Sequence, residues 1–252
     1  MIAITRDVSP NVSQCELTHI DRTPIDYALA AAEEKEYRRT LESLGLTVIT
    51  LPGDAAYPDC VFIEDTAIVL PELAVITRPG AESRRGETRV VADELAKHRP
   101  LVHIEAPATI DGGDVLLLDD RIYVGLTART NEAAIAQLRL HTRREVIPVA
   151  VDGCLHLKSA VTRVGRAAVL LNPAWVDVRA FADLETIEVH PDEGFAANAL
   201  AVGEAVVYPD AFPRTRDLLL RRRLDVRALD LSELAKAEGG VTCCSLVLDA
   251  GP

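Results

Sequence analysis

Apolar and polar positions follow one another in a recurring order along this chain: a short polar cluster, an apolar run of strand length, a tight turn, a second apolar run and usually a helix-compatible stretch. The order recurs five times. The first instance opens at Cys60-Val61-Phe62-Ile63-Glu64-Asp65, runs through Thr66 to Leu70, turns at Pro71-Glu72 and returns as Leu73 to Thr77. The second opens at Asp111-Gly112-Gly113-Asp114, continues as Val115 to Leu118, turns at Asp119-Asp120 and returns as Ile122 to Leu126. A third runs from Cys154-Leu155-His156 through Val164, turns at Gly165-Arg166 and returns as Ala167 to Leu171. The fourth runs from Ala196-Ala197-Asn198 to Val202, turns at Gly203-Glu204 and returns as Val206 to Tyr208. The fifth, Gly239-Gly240-Val241-Thr242-Cys243-Cys244-Ser245 with the run Leu246 to Leu248, has one strand left before the chain ends.

The units start roughly 40 to 50 residues apart, the spacing of radially repeated or stacked architectures. Gly86 to His98, Asn131 to Arg143 and Arg214 to Leu224 have helix-compatible composition, as does Pro24 to Leu44 with a first-turn proline and a Gly45 stop. Each unit therefore reads as two strands, a helix and a further short strand. The fifth lacks a partner strand, and Ile2 to Thr5 is the candidate that would complete it and close a ring. A doubly wound sheet is the competing fold. In a ring the polar clusters converge at the axis, which gathers Asp59, Glu64, Asp65, Asp111, Asp114, His156, Lys158, Asn198 and Cys243 into one site.

Composition narrows the classes. At 252 residues and 48% hydrophobic, with no linker or low-complexity tract, the simplest reading is one domain over residues 1–252. No run approaches the roughly 20 apolar residues of a membrane span, so a cytoplasmic protein without membrane contact is expected. Five cysteines at irregular spacing, with no C-x-x-C pair, suggest neither disulfides nor zinc. The formal charge of -12 repels nucleic acid and favours a cationic ligand.

Several residues could carry chemistry. His156 alternates with apolar neighbours in Cys154-Leu155-His156-Leu157, as a strand residue would, and its imidazole titrates near neutrality. Paired with an accessible thiol it would serve as general acid and base. Asp111, before Gly112-Gly113, could orient it. Glu64 and Asp65 interrupt an apolar strand-like run, so at least one is expected to point inward. A buried carboxylate requires a cation, either a guanidinium ligand or an internal Arg or Lys. Arg84, Arg85 and Arg129 follow returning strands in loops, where they could grip a carboxylate or remain solvated. Alternation does not decide between Cys243 and Cys244. No metal-ligand spacing and no phosphate-binding glycine loop is present.

Taken together, the segments Pro58 to Asp65, Thr77-Arg78-Pro79-Gly80 with Ser83-Arg84-Arg85, Asp111 to Val115, Val124 to Leu126 with Arg129-Thr130-Asn131, Leu155 to Ser159 and Thr242 to Ser245 resemble the dimethylarginine dimethylaminohydrolase family of guanidine-modifying enzymes. The resemblance implies a five-fold pseudosymmetric α/β propeller and a hydrolase that converts Nω-methylated L-arginines to citrulline and an amine without a cofactor. It implies Cys243 as nucleophile, His156 as general acid and base and Asp111 as triad acid, where some bacterial relatives carry Glu. Asp65 would hold the guanidinium with Glu64 and Asp59 nearby, and Arg84 and Arg129 would bind the α-carboxylate. Leu17 aligns with a lid leucine, and the main chain near Ala237 with a contact to the amino-acid end. The expected partner is a small guanidinium amino acid, and a homodimer is allowed. Hydrolysis of arginine or another guanidine, and non-catalytic arginine binding, are the alternatives.

Overall fold

The computed structural model describes residues 1–249; residues 250–252, the end of the expected 1–252 domain, lie outside the described residues. Among the described residues, fifteen strands form five three-stranded sheets. The first sheet is β3 (Ala67–Val69), β4 (Ala74–Ile76) and β5 (Leu101–His103), and the second β6 (Val115–Leu118), β7 (Arg121–Leu126) and β8 (Glu145–Ala150). The third holds β9 (Val161–Arg163), β10 (Ala168–Leu171) and β11 (Glu185–Glu188), and the fourth β12 (Leu200–Val202), β13 (Ala205–Pro209) and β14 (Asp225–Leu229). The fifth joins the chain's two ends: β15 (Leu246–Leu248) pairs antiparallel with β1 (Ile2–Arg6), Ile2 facing Leu248, and β1 pairs with β2 (Thr47–Leu51). The ring of five units expected from the sequence therefore closes through the N-terminal strand.

Every sheet has one antiparallel pair and one parallel pair. A parallel pair needs a crossover, and α1 (Tyr27–Ser43), α2 (Thr88–Leu95), α3 (Glu132–His141) and α5 (Pro213–Arg221) supply four of them. In the third sheet a single 3-10 turn, Val178–Phe181, stands in for the helix. The buried apolar residues divide into five clusters, each wedged between successive sheets; Ile68 and Val75 meet Ile122 and Val124, and Leu116 and Tyr123 meet Val169 and Leu171. Both faces of a sheet are thus covered, which is why the strands read as unbroken apolar runs.

Local structure departs from the sequence reading at three places. Helix α1 starts at Tyr27, because the Asp26 carboxylate caps it by accepting from the Ala28 and Leu29 N–H groups; Pro24 lies before the cap. Gly45 does end it, at φ +85°. Glu64 and Asp65 are not strand residues but occupy a 3-10 turn, Ile63–Thr66, so both are buried and alternation does not apply to them. His156 likewise precedes a one-turn helix, α4 (Leu157–Ala160), rather than lying in a strand with Cys154, whose side chain packs into an apolar cluster.

These turns have a common cause. Each polar cluster reverses the chain at the axis before an inner strand begins, and its polar groups bond to the next unit. The Asp65 carboxylate accepts from Gly113 N–H at 2.9 Å, and Asp114 from Leu157 N–H at 2.9 Å. The Asn198 amide donates to Lys158 O at 3.0 Å and accepts from Thr242 N–H at 3.1 Å. Glu64 N–H then donates to Cys243 O at 3.1 Å, which returns to the first unit. The result is a closed girdle of hydrogen bonds linking all five units.

Removing a girdle member should therefore loosen the whole ring. Asn198→Ala deletes two links and leaves buried partners unsatisfied, with an expected loss of about 1–3 kcal/mol. Urea unfolding checks this: the midpoint falls while the slope stays as in wild type.

Candidate active site

The fold brings His156, Asp111 and Asp65 together on one side of the girdle. His156 Nε2 lies 3.0 Å from Asp111 Oδ2, and Nδ1 lies 3.8 Å from Asp65 Oδ1. Asp111 is fully buried and is fixed by Gly80 N–H, which donates to Oδ1 at 2.9 Å. Gly113 permits this packing, because a Cβ there would stand 2.6 Å from His156 Nδ1 and 2.8 Å from Asp65 Oδ1. Burial alone would lower the His156 pKa, but Asp65, Asp114 and Asp111 outweigh it and push it up to about 9. Its three carboxylate neighbours thus favour the imidazolium form. Asp65, despite burial, is held below the usual carboxylate range by His156 and Arg84.

The cysteine loop approaches from the fifth unit. Cys243 is half-buried, its Sγ 3.4 Å from the Gly240 N–H that donates to it. Cys244 is 1% exposed and packs into the apolar cluster containing Ala30 and Leu41, so the structure separates the two thiols that alternation left equivalent. Beneath the loop, the buried Tyr37 hydroxyl donates to Val241 O at 2.8 Å and sits 2.7 Å from Ser245 Oγ. Burial, with Glu64 and Asp65 adding to it, pushes the Cys243 thiol up to about 12; the Gly240 N–H and Lys158 pull the other way. A cation arriving beside Sγ would shift that balance toward the thiolate.

Cys243, His156, Asp65, Asp59, Arg84, Arg129 and Ala237 line one narrow cavity of about 20 Å³. It holds little more than a water molecule. The loop 15–20 borders it, with Glu16 on its wall. The Glu238 carboxylate accepts from the N–H groups of Thr18, His19 and Ile20, and Asp59 accepts from Glu16 N–H at 3.1 Å. Arg129 reaches Thr18 Oγ1 at 3.4 Å and stands 3.8 Å from Asp111.

Three expected site residues sit differently. Glu64 is absent from this cavity's lining; it pairs with Lys158 at 2.5 Å and accepts from Thr242 Oγ1, an internal cation that offsets part of the burial that still raises its pKa. Arg84 is neither a solvated loop charge nor a free carboxylate grip. It is 5% exposed, and its guanidinium is engaged by Asp65 at 2.6 Å, Glu87 at 2.9 Å and Phe62 O at 3.0 Å. Leu17 packs against the apolar cluster containing Phe62 and Ala237, while its neighbour Glu16 lines the cavity.

Sequence spacing suggested no metal centre, yet the fold sets one ligating atom each of Asp65, Asp111 and His156 within 4.8 Å of one another. All three are committed to one another, to Arg84 and to main-chain N–H groups, and a metal cation there would compete with the Arg84 guanidinium and the imidazolium. Tyr37 and Glu238 escaped the sequence reading. Tyr37 lies on the buried stripe of α1 with Ala30, Glu33, Glu34 and Leu41, a periodicity that could have flagged it. Glu238 owes its position to a left-handed backbone, φ +59°, that nothing in its residue type announces.

Known proteins resemble this chain over most of its length. Residues 20–247 match the family model described as N,N dimethylarginine dimethylhydrolase, eukaryotic. The N(G),N(G)-dimethylarginine dimethylaminohydrolase of Pseudomonas aeruginosa is 36% identical, over 88% of this chain and 89% of that protein. The protein of the same name from Streptomyces coelicolor is 36% identical over 98% of this chain and 96% of its own. The solved Pseudomonas aeruginosa structure, a cysteine-to-serine mutant complexed with citrulline, superposes with a TM-score of 0.91 at 33% identity, covering 97% of each chain.

Two measurements probe the electrostatics. In Asp65→Asn the largest charge raising His156 is gone, so the imidazole pKa read by NMR should fall clearly below about 9. Alkylation of Cys243 by iodoacetamide, followed by peptide mapping, should be slow at pH 7 and climb about tenfold per pH unit, with no plateau below pH 9.

Proposed function

The chain belongs to the dimethylarginine dimethylaminohydrolase family, and from that premise we propose that it hydrolyses Nω-methylated L-arginines to L-citrulline and methylamine or dimethylamine within a single catalytic domain. The observation that supports this most directly is an Asp111-bound His156 lining the same cavity as Cys243, with Asp65 and Asp59 on its wall. That is an acid, a nucleophile and anionic groups for a cation in one place.

The steps follow from the charges. Free Cys243 is a neutral thiol; the guanidinium that settles beside Asp65 and Asp59 supplies the positive field that stabilises its thiolate, and the thiol proton passes to water. Sγ attacks the central guanidinium carbon to give a tetrahedral adduct. The His156 imidazolium passes its proton to the departing amine nitrogen, and the C–N bond breaks, leaving a thiouronium on Cys243. The imidazole, now neutral, removes a proton from water and the oxygen adds to the same carbon; the C–S bond then breaks, and the remaining hydroxyl proton passes to the departing Cys243 sulfur as citrulline forms, restoring the thiol. Asp111 holds the ring in register throughout. Arg129, whose guanidinium is the less committed of the two arginines, takes the substrate carboxylate, while Arg84 lines the cavity and fixes Asp65.

All five cysteines are free, which supports placement in the reducing cytoplasm. No helix among the described residues is long and apolar enough to cross a membrane.

A panel of dimethylated, monomethylated and unmodified L-arginine, followed by citrulline release, tests the reading. Methylated substrates should give the higher kcat/KM, and Cys243→Ser should lower it by on the order of 10³-fold or more. Preference for unmodified arginine would reassign the substrate; absence of citrulline from all three would remove the function.

A further inference from the structure

The polar cavity has an apolar neighbour. Cys243, Leu155 and Glu238 line both it and a chamber of about 260 Å³. Phe195, Phe212, Leu231, Ala211 and Ala235 form the chamber's walls, with His19 and Ile20 of the loop 15–20. Lysine, arginine and aspartate are absent from its lining, and its one carboxylate, Glu238, is already engaged by three main-chain N–H groups. Phe195 is 51% exposed yet fixed in place, its ring edge-on to Trp175 with centroids 4.9 Å apart. An anchored aromatic ring left open to a cavity favours an apolar occupant.

The chamber is also larger than methylated arginine requires. A methyl group needs roughly the share of volume of one water molecule, about 30 Å³, so two methyl groups occupy a fraction of it. The nitrogen that leaves is the one next to His156, and Leu155, the preceding residue, lines both cavities. Leu155, Cys243 and Glu238 are common to both linings, so a chain attached to that nitrogen would pass between them into the chamber.

The geometry points to a wider substrate class: Nω-alkyl-L-arginines whose alkyl group is longer than methyl, with the chain buried among Phe195, Phe212 and Leu231. This rests on the reading of Cys243 and His156 as a guanidine hydrolase. The balance is unchanged, one alkylarginine and one water giving citrulline and the alkylamine; the C–N bond to the alkylated nitrogen breaks, His156 protonates that nitrogen, and water supplies the citrulline oxygen.

The test is kcat/KM for Nω-methyl-, Nω-propyl- and Nω-pentyl-L-arginine with wild type, Ala211→Leu and Ala235→Leu. Both alanines are exposed at the chamber's edge, so the added leucine fills space without disturbing the core. Wild type should hold or gain along the series, up to roughly fourfold per buried methylene. The filled variants should lose at least about tenfold on the pentyl substrate and keep the methyl substrate within about threefold. Turnover of the methyl substrate with none of propyl or pentyl overturns the chamber assignment alone, as does an equal loss on all three in the filled variants. Absence of turnover with every substrate overturns the hydrolase reading on which it rests.

Discussion

The polar groups that meet at the ring axis are buried, and each buried carboxylate or amide has to find its partner in a neighbouring unit. Leaving one unpaired would cost several kcal/mol. The girdle from Asp65 through Gly113, Asp114, Leu157, Lys158, Asn198 and Thr242 back to Glu64 meets that requirement, and the units are held in register by the same bonds. The candidate chemistry is built on this frame: Asp65 serves both the girdle and His156, and Cys243 lends its carbonyl to the girdle while its thiol faces the cavity.

That sharing sets the charges. A thiol and an imidazole in one site often form a thiolate–imidazolium pair, but here the cation and the thiol are tuned separately. Three carboxylates keep His156 charged, whereas burial and two of the nearby acids keep Cys243 protonated. In the proposed reaction the site is thus prepared as an acid before it is prepared as a nucleophile, and the missing positive charge arrives with the guanidinium, which ties reactivity of the thiol to occupation of the site. The Glu238 carboxylate, which lines the same cavity, holds loop 15–20 through three main-chain N–H groups.

Much of the fold was legible in the sequence because each unit repeats one pattern, even without repeated identities. The turn at Asp119-Asp120 and the run Val115 to Leu118 fall where the pattern puts them, and Ile2 to Thr5 closes the ring. Alternation failed at Glu64-Asp65 and at His156 for one reason: the chain reverses at the axis in turns, where the period of two has no meaning. The two adjacent acids did signal buried cations, but pairing over 94 positions to Lys158 and 19 to Arg84 is a property of the closed ring and not of local spacing. Loop position made Arg84 look solvated for the same reason. Choosing Cys243 over Cys244 required either the family resemblance or the sight of Cys244 packed against α1.

The most direct test of covalent catalysis at Cys243 is acid quenching of wild type during turnover of Nω-methyl-L-arginine, followed by intact-mass and peptide mass spectrometry. The expected species carries the mass of the substrate less methylamine, on the peptide containing Cys243 and on no other cysteine. Citrulline formation at full rate with no substrate-derived mass on any cysteine, or with that mass on Cys244 alone, would contradict it.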